Sequence, residues 1–186
     1  MNLEIETKVK VESLEEIAVR LTDMGGQMDC ELLQVDTYFD NAEQTLFASD
    51  CGLRLRKQIA GEGQKLFLTY KGPKQKSPFK SRPEMEIEVS DFAPAVELLA
   101  ALGYEKTLVF EKRRQLWQLS DSAVCLDELP LLGNFIEIEA SSEQAVADTL
   151  RKLQLADLPH INESYARLMR SRLNKLGTGR MEAFFH

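Results

Sequence analysis

The tripeptide Glu-Ile-Glu occurs three times, in LEIETKVK, EMEIEVS and NFIEIEAS, and each copy runs on through a serine into a helix-like stretch. Successive side chains of a strand point to opposite faces, so the pattern sets carboxylates on one side and isoleucines on the other. A chain that repeats it has to bury one face of each strand and find a use, or water, for the other.

The flanking residues extend the pattern into a module. After the first strand, Ser13 and Glu16 form an S-x-x-E capping box before LEEIAVRLTDMGG, which stops at Gly25 and Gly26. EMEIEVS feeds DFAPAVELLAALGY, with Pro94 in the first turn and Gly103 at the end, and NFIEIEAS feeds SEQAVADTLRKLQL. The stretches LLQVDTYFD, GLRLRKQIA, QKLFLTYKG, TLVFEKRRQLWQL and AVCLDEL read as antiparallel strands joined by short links, making about eight strands in all. A last helix, NESYARLMRSRLNKLG, ends at Gly177. Residues 1–177 are expected to form a single domain, with a loosely ordered tail over 178–186 that includes Phe184 and Phe185.

Parity sorts the charges. Glu4, Glu6 and Lys8 share one face; so do Arg54 with Arg56, Thr69 with Lys71, Arg82 with Glu84 and Glu86, Lys112 with Arg114, Cys125 with Asp127, and Glu137 with Glu139. The opposite faces carry Ile5, Leu53, Leu55, Leu68, Ile87, Leu126, Ile136 and Ile138, which the amphipathic helices are expected to cover. The charged side is then either open to water, as in an ordinary solvated sheet, or rolled inward as a closed barrel that removes the sheet edges. A barrel of this kind, an α+β fold with a charged lumen and helices outside, encloses bases and acids in balance. Salt bridges alone are a poor reason for that arrangement, since apolar replacements stabilise as well. Arginine and lysine in number suit phosphate oxygens, and carboxylates clustered without His or Cys suit hard ions such as Mg²⁺ or Mn²⁺.

Composition narrows the alternatives. A formal charge of −7 argues against general nucleic-acid binding. The bases are concentrated locally, in YKGPKQKSPFKSR (Lys71, Lys74, Lys76, Lys80, Arg82) and in EKRRQ (Lys112, Arg113, Arg114), as expected of a site for a compact anion. No apolar run approaches the ~20 residues of a membrane helix, and Cys30, Cys51 and Cys125 show no disulfide or metal spacing, so a cytoplasmic protein with reduced thiols is expected. His160 and His186 are too few for a zinc site and are expected in exposed positions.

EIETK resembles the E-x-E-x-K signature of the CYTH, or triphosphate tunnel metalloenzyme, superfamily. The resemblance continues in order through DTYFD, GLRLRK, YKGP, SRPEMEIE, EKRR, CLDEL, LGNFIEIE and SYARL, covering roughly residues 1 to 173. It implies an eight-stranded antiparallel tunnel that binds a linear triphosphate. Carried over by position, Lys8, Arg54, Arg56, Lys71, Arg82, Lys112 and Arg114 match the phosphate-contacting bases. Glu4, Glu6, Asp127, Glu137 and Glu139 match the metal-side acids, with Glu84 and Glu86 as supporting tunnel acids. Catalysis is expected to centre on Lys8, Glu4 and Glu6; Lys8 is read first as a phosphate clamp and second as a proton acceptor. Asp36 and Asp40 are given strand-end and turn roles, and Tyr38, Phe39 and Tyr165 packing roles.

In detail the match is nearest to the class IV adenylyl cyclase-like branch, which implies conversion of ATP to cyclic AMP and pyrophosphate with Mg²⁺ or Mn²⁺. Hydrolysis of tripolyphosphate or thiamine triphosphate, and a non-catalytic polyphosphate- or nucleotide-binding module, are the alternatives. The expected partner is a small-molecule triphosphate, without nucleic acid or membrane, and a homodimer is compatible with the sequence.

Overall fold

The computed structural model describes residues 5–74, 82–177 and 179–186. Elements follow in the order β1 (Ile5–Val11), α1 (Leu14–Asp23), β2 (Gln27–Asp40), α2 (Thr45–Ala48), β3 (Gly52–Ala60), β4 (Gly63–Lys71), β5 (Glu84–Val89), α3 (Phe92–Ala101), β6 (Glu105–Leu119), β7 (Ser122–Leu129), β8 (Gly133–Ala140), α4 (Glu143–Lys152), α5 (Tyr165–Leu176) and β9 (Glu182–Ala183). Eight strands pair antiparallel in the order β1-β8-β7-β6-β2-β3-β4-β5. The sheet curls until side chains from both end strands, β1 and β5, line one cavity. It is a tunnel but not a closed ladder: no β1–β5 pairing is formed among the described residues.

Local chemistry explains the helix boundaries. Ser13, Ser142 and Ser164 each accept a hydrogen bond from the backbone N–H three residues on, and Asp91 accepts one from Ala93, satisfying donors that a helix start leaves free. At the end of α1, a Cβ on Gly26 would lie 2.8 Å from the carbonyl oxygen of Leu21, so only glycine allows the chain to turn there. Gly72 has a similar role between β4 and β5. Its N–H donates to the Pro83 carbonyl at 2.9 Å, and a Cβ would meet the proline ring at 2.7 Å.

Three apolar clusters hold the layers together. On the outer face, α1 and α4 cover Val9, Val124, Leu126, Ile136 and Ile138 with Ile17, Leu21, Val146 and Leu150. Helix α3 supplies Leu99 against Phe39 and Leu55, with Leu53 and Leu68 packed beside them. Helix α5 is on the other side. Its Tyr165, Met169 and Leu173 pack on Leu108, Phe110, Leu129 and Phe135, whose strand parity is that of Lys112, Asp127 and Glu137. The inner face is therefore apolar at one end, where α5 plugs it, and charged beyond.

One expected core residue is not in the core. Ile87 is 61% exposed and Met85 57%, because β5 is an end strand and the α3 cluster, which spans β2 to β4, takes from β5 only its last residue, Val89. Ile138, by contrast, is fully buried. Denaturation should therefore show Ile138→Ala costing about 2–5 kcal/mol and Ile87→Ala within about 0.5 kcal/mol of the parent.

The tail carries a short strand. β9 pairs parallel with β6 at Val109 and Phe110, beyond the end of the β7 ladder, and Ala183 is buried. The Phe185 N–H donates to Glu111 at 3.0 Å, and the Arg113 guanidinium lies 4.2 Å from the Phe185 ring centroid. No helix among the described residues is long and apolar enough to cross a membrane, and the three cysteines are free thiols.

Candidate functional site

The curled sheet encloses a cavity of about 260 Å³. β1 contributes Glu6 and Lys8, β2 Asp36 and Tyr38, β3 Arg54 and Arg56, β4 Lys71, β6 Lys112 and Arg114, and β8 Glu137 and Glu139. Glu84 and Glu86 come from β5, Arg82 from the segment just before it, and Ser164 and Tyr165 from the start of α5. The alternation explains the convergence: with the isoleucines of β1 and β8 under helices, their glutamates and Lys8 must face inward. Of the residues expected here, Glu4 lies outside the described residues, and Asp127 does not line the cavity; the others do.

The first wall is built on arginine. Arg56 grips Asp36 through two hydrogen bonds, from Nε at 2.6 Å and from Nη2 at 2.8 Å. Arg54 donates through Nη2 to Thr69 at 3.0 Å and to Glu86 at 3.4 Å, and its Nη1 lies 3.9 Å from Asp36. Lys71 pairs with Glu84 across the β4–β5 ladder. Arg82 donates to the Asp50 carbonyl at 2.6 Å, and the Asp50 carboxylate also meets Lys74 and Arg167 at 3.4 and 3.3 Å. Lys76 and Lys80 lie outside the described residues.

The second wall is organised by Asp127, which has no exposed surface. It accepts two hydrogen bonds from Arg114, both at 2.7 Å, and one from the Tyr165 hydroxyl at 2.8 Å, with Lys112 Nζ 3.6 Å away. Its oxygens are occupied by buried protein donors: Asp127 sits behind the cavity surface and anchors the bases of this wall. Arg114 also reaches Glu137, and Glu137 meets Lys8 at 3.0 Å. The Lys8 and Lys112 ammonium groups lie 3.9 and 5.1 Å from the Tyr165 ring centroid, so this tyrosine touches the site as well as packing.

Crowding perturbs the titrations. Burial, followed by the neighbouring Arg114 charge, lowers Lys112 to about 7, and burial followed by Arg54 lowers Lys71 to about 8. Burial by itself raises the Asp36 carboxyl, but Arg56 and Arg54 outweigh it and hold the group well below the usual carboxylate range. Burial raises Tyr38 to about 12, with Asp36 adding to the effect. Lys8, the candidate proton acceptor, lies against Glu137, the Tyr165 ring and the Glu163 carbonyl. Of Lys71 and Lys112, Lys112 is the closer to neutrality.

Two buried donors remain. Arg54 and Arg82 are 6% and 7% exposed, and the Nε of each has no hydrogen-bond partner among the described residues. A buried unsatisfied donor costs about 1–3 kcal/mol, and more when charged, and both arginines line the cavity.

For a divalent ion the relevant pair is Glu6 and Glu139. They are direct cross-strand partners on β1 and β8, and both line the cavity. Like charges placed opposite each other are destabilising unless positive charge lies close by. Their oxygen donors, with Glu137 two residues from Glu139, fit Mg²⁺ or Mn²⁺ in chemistry. Among the described residues no three His, Cys, Asp or Glu side chains converge as a ready-made metal cluster; Mg²⁺ is commonly held by one or two carboxylates, with waters and phosphate oxygens completing its shell.

Sequence reasoning missed Asp36, Tyr38 and Ser164 as parts of the cavity. The parity of DTYFD held the signal, since Asp36 is the direct cross-strand partner of Arg56. The cap Ser164 enters only because α5 plugs the tunnel. His160 and His186 are exposed.

The CYTH domain family profile matches residues 2–166. A Methanocaldococcus jannaschii protein with a provisional adenylate cyclase name is 29% identical over 139 residues, which make up 75% of this chain and 77% of that protein. Adenylate cyclase CyaB of Aeromonas hydrophila is 26% identical over 156 residues, 83% of this chain and 78% of its own. The solved structure of a Pyrococcus horikoshii OT3 protein superposes with a TM-score of 0.77 at 26% identity, covering 90% of this chain and 98% of that one. A Hippeastrum protein with a provisional adenylyl cyclase name, described as having a dominant triphosphatase activity, shares the fold with a TM-score of 0.65 at 18% identity, over 92% and 96% of the two chains. With the profile spanning most of its length, the chain belongs to the CYTH domain family.

Proposed function

We propose that this protein binds a linear triphosphate in the tunnel and cleaves it by metal-dependent phosphoryl or nucleotidyl transfer. The observation that carries the reading is the pair of buried, unpartnered Nε donors on Arg54 and Arg82, set among lysines and arginines in a cavity of polar walls. Phosphate oxygens satisfy such donors and are strongly held by arginine.

The roles follow from position. Arg54, Arg56, Lys71 and Arg82 hold the phosphate chain from one wall, and Lys8, Lys112 and Arg114 from the other. Glu6, Glu137 and Glu139 are the residues to hold a divalent ion, which when bound neutralises charge on the reacting and departing oxygens. Preset donors in a site sheltered from water stabilise developing charge without having to reorganise. We assign the cyclase-like outcome first, conversion of ATP to cyclic AMP and pyrophosphate, on the names of the relatives. One observation favours hydrolysis of tripolyphosphate or thiamine triphosphate as the second reading. The rings of Tyr38 and Tyr165 are the aromatic surface of the described lining, which offers no apolar slot for a base inside the tunnel.

The test is to incubate purified protein with ATP, tripolyphosphate and thiamine triphosphate, each with Mg²⁺ and with Mn²⁺, and to resolve the products. Cyclic AMP with equimolar pyrophosphate identifies the cyclase, and orthophosphate identifies the triphosphatase. Binding without any product reduces the protein to a binding module.

Binding should also take up protons. An anion favours the charged form of Lys112, whose free-protein value is about 7, and of Lys71, at about 8. Affinity should therefore fall as pH rises above about 7, by up to about tenfold per unit for one linked proton, and level off below it. Calorimetry at pH 8 in two buffers of different ionisation enthalpy measures the uptake, and equal heats in both would contradict the linkage.

A further inference from the structure

Asp36 has no assigned part in the site, yet it is the acid against which the first wall is built. It is 2% exposed and faces Arg56 directly across the β2–β3 ladder. Its two oxygens take the Nε and Nη2 of Arg56 at 2.6 and 2.8 Å, and Oδ2 also lies 3.9 Å from Arg54 Nη1. On its other side β2 pairs with β6, where Phe110 is the cross-strand partner of Asp36 and stacks on Tyr38 with ring centroids 5.8 Å apart. The carboxylate is therefore backed by aromatic packing and fronted by two guanidinium groups.

This is an odd place for a negative charge if charge alone mattered. An acid beside a triphosphate repels it, and removing that acid should tighten binding. A two-point grip does something else: it fixes a planar fork whose long side chain is otherwise free to rotate, and it leaves the remaining N–H groups of that fork preset for a ligand. We infer that Asp36 is a positioning residue, which orients the Arg56 guanidinium, and through its second contact steadies Arg54, for the phosphate chain. The inference rests on the triphosphate reading above and adds to it the residue that sets the angle of the clamp.

The experiment is a double-mutant cycle on tripolyphosphate affinity, measured calorimetrically without divalent ions, for the parent protein, Asp36→Asn, Arg56→Ala and the double variant. Asp36→Asn is expected to weaken binding about tenfold, although it makes the site more positive. In the Arg56→Ala background the same change should have less than about a twofold effect. In turnover, KM should rise with kcat within about threefold, and the Mg²⁺ concentration giving half-maximal rate should stay the same. Asp36→Glu, which keeps the charge and displaces the fork by one methylene, should weaken binding in the same direction and keeps the test available if the asparagine variant does not fold.

Tighter or unchanged binding by Asp36→Asn overturns the inference. So does a loss of equal size with or without Arg56, which marks a general structural effect, or a shift in Mg²⁺ requirement, which marks a metal ligand. Failure of the parent protein to bind tripolyphosphate overturns the triphosphate reading and this inference together. The former outcomes overturn the inference alone.

Discussion

Arg82→Ala is expected to weaken tripolyphosphate binding by about 2–4 kcal/mol, roughly 30- to 700-fold, in a calorimetric titration. Two features make this a large effect. The guanidinium is 7% exposed, so its attraction for an anion is little screened, and its Nε has no partner among the described residues, so the ligand does not have to displace one there. Part of the side chain is already fixed: Nη2 donates to the Asp50 carbonyl at 2.6 Å, which holds the group at the β5 end of the cavity. Arg82→Lys keeps the charge but has no planar fork, and it should recover only a minor part of the loss. Equal affinity in the parent and the lysine variant would show that the site uses charge without geometry.

Asp127→Ala is expected to destabilise the fold by about 3–5 kcal/mol, read as a lower urea midpoint with little change in slope. The carboxylate has no exposed surface and sits among Arg114, Lys112 and the Tyr165 hydroxyl. Removing it deprives the buried Arg114 of its two-point partner, moves Lys112 further toward its neutral form and leaves a buried hydroxyl without its acceptor. It also loosens the contact between α5 and the sheet, because Tyr165 belongs both to the apolar plug and to this network. A metal-side role predicts a different outcome: normal stability without metal and a raised Mg²⁺ requirement. Unchanged stability would return Asp127 to the metal-side group.

Much of this site is legible in the sequence because strand parity is a hard constraint. Once Ile136 and Ile138 are placed under helices, Glu137 and Glu139 have to point inward, and the same holds for Glu6 and Lys8 beside Val9. What parity does not give is depth. Asp127 has the inward parity expected of a metal ligand, but the partners that bury it come from β6 and from α5, which is distant in sequence. Asp36 shows the reverse case. Both faces of β2 are buried near its end, where Phe39 meets α3 and Tyr38 meets Phe110, so the contrast of polar and apolar faces that marks the other strands is lost there although the parity still turns Asp36 inward.

The helices show the same limit. The spacing of Tyr165, Met169 and Leu173 identifies an amphipathic helix but not the side of the sheet that receives it, and α5 takes the inside. Ile87 looks like a core residue beside Glu86 and Glu88, yet the cover over an end strand depends on where α3 returns. The tail has no period because two residues of parallel pairing need none: β9 is held by the free flank of β6 and by Phe185 against Arg113.

The most direct measurement is an experimental structure of the protein with tripolyphosphate bound. The account predicts phosphate oxygens within hydrogen-bond distance of Arg54 Nε and Arg82 Nε, with the chain lying between the Arg56 and Lys112 walls. A triphosphate bound elsewhere, with those two N–H groups still unpartnered, would contradict it.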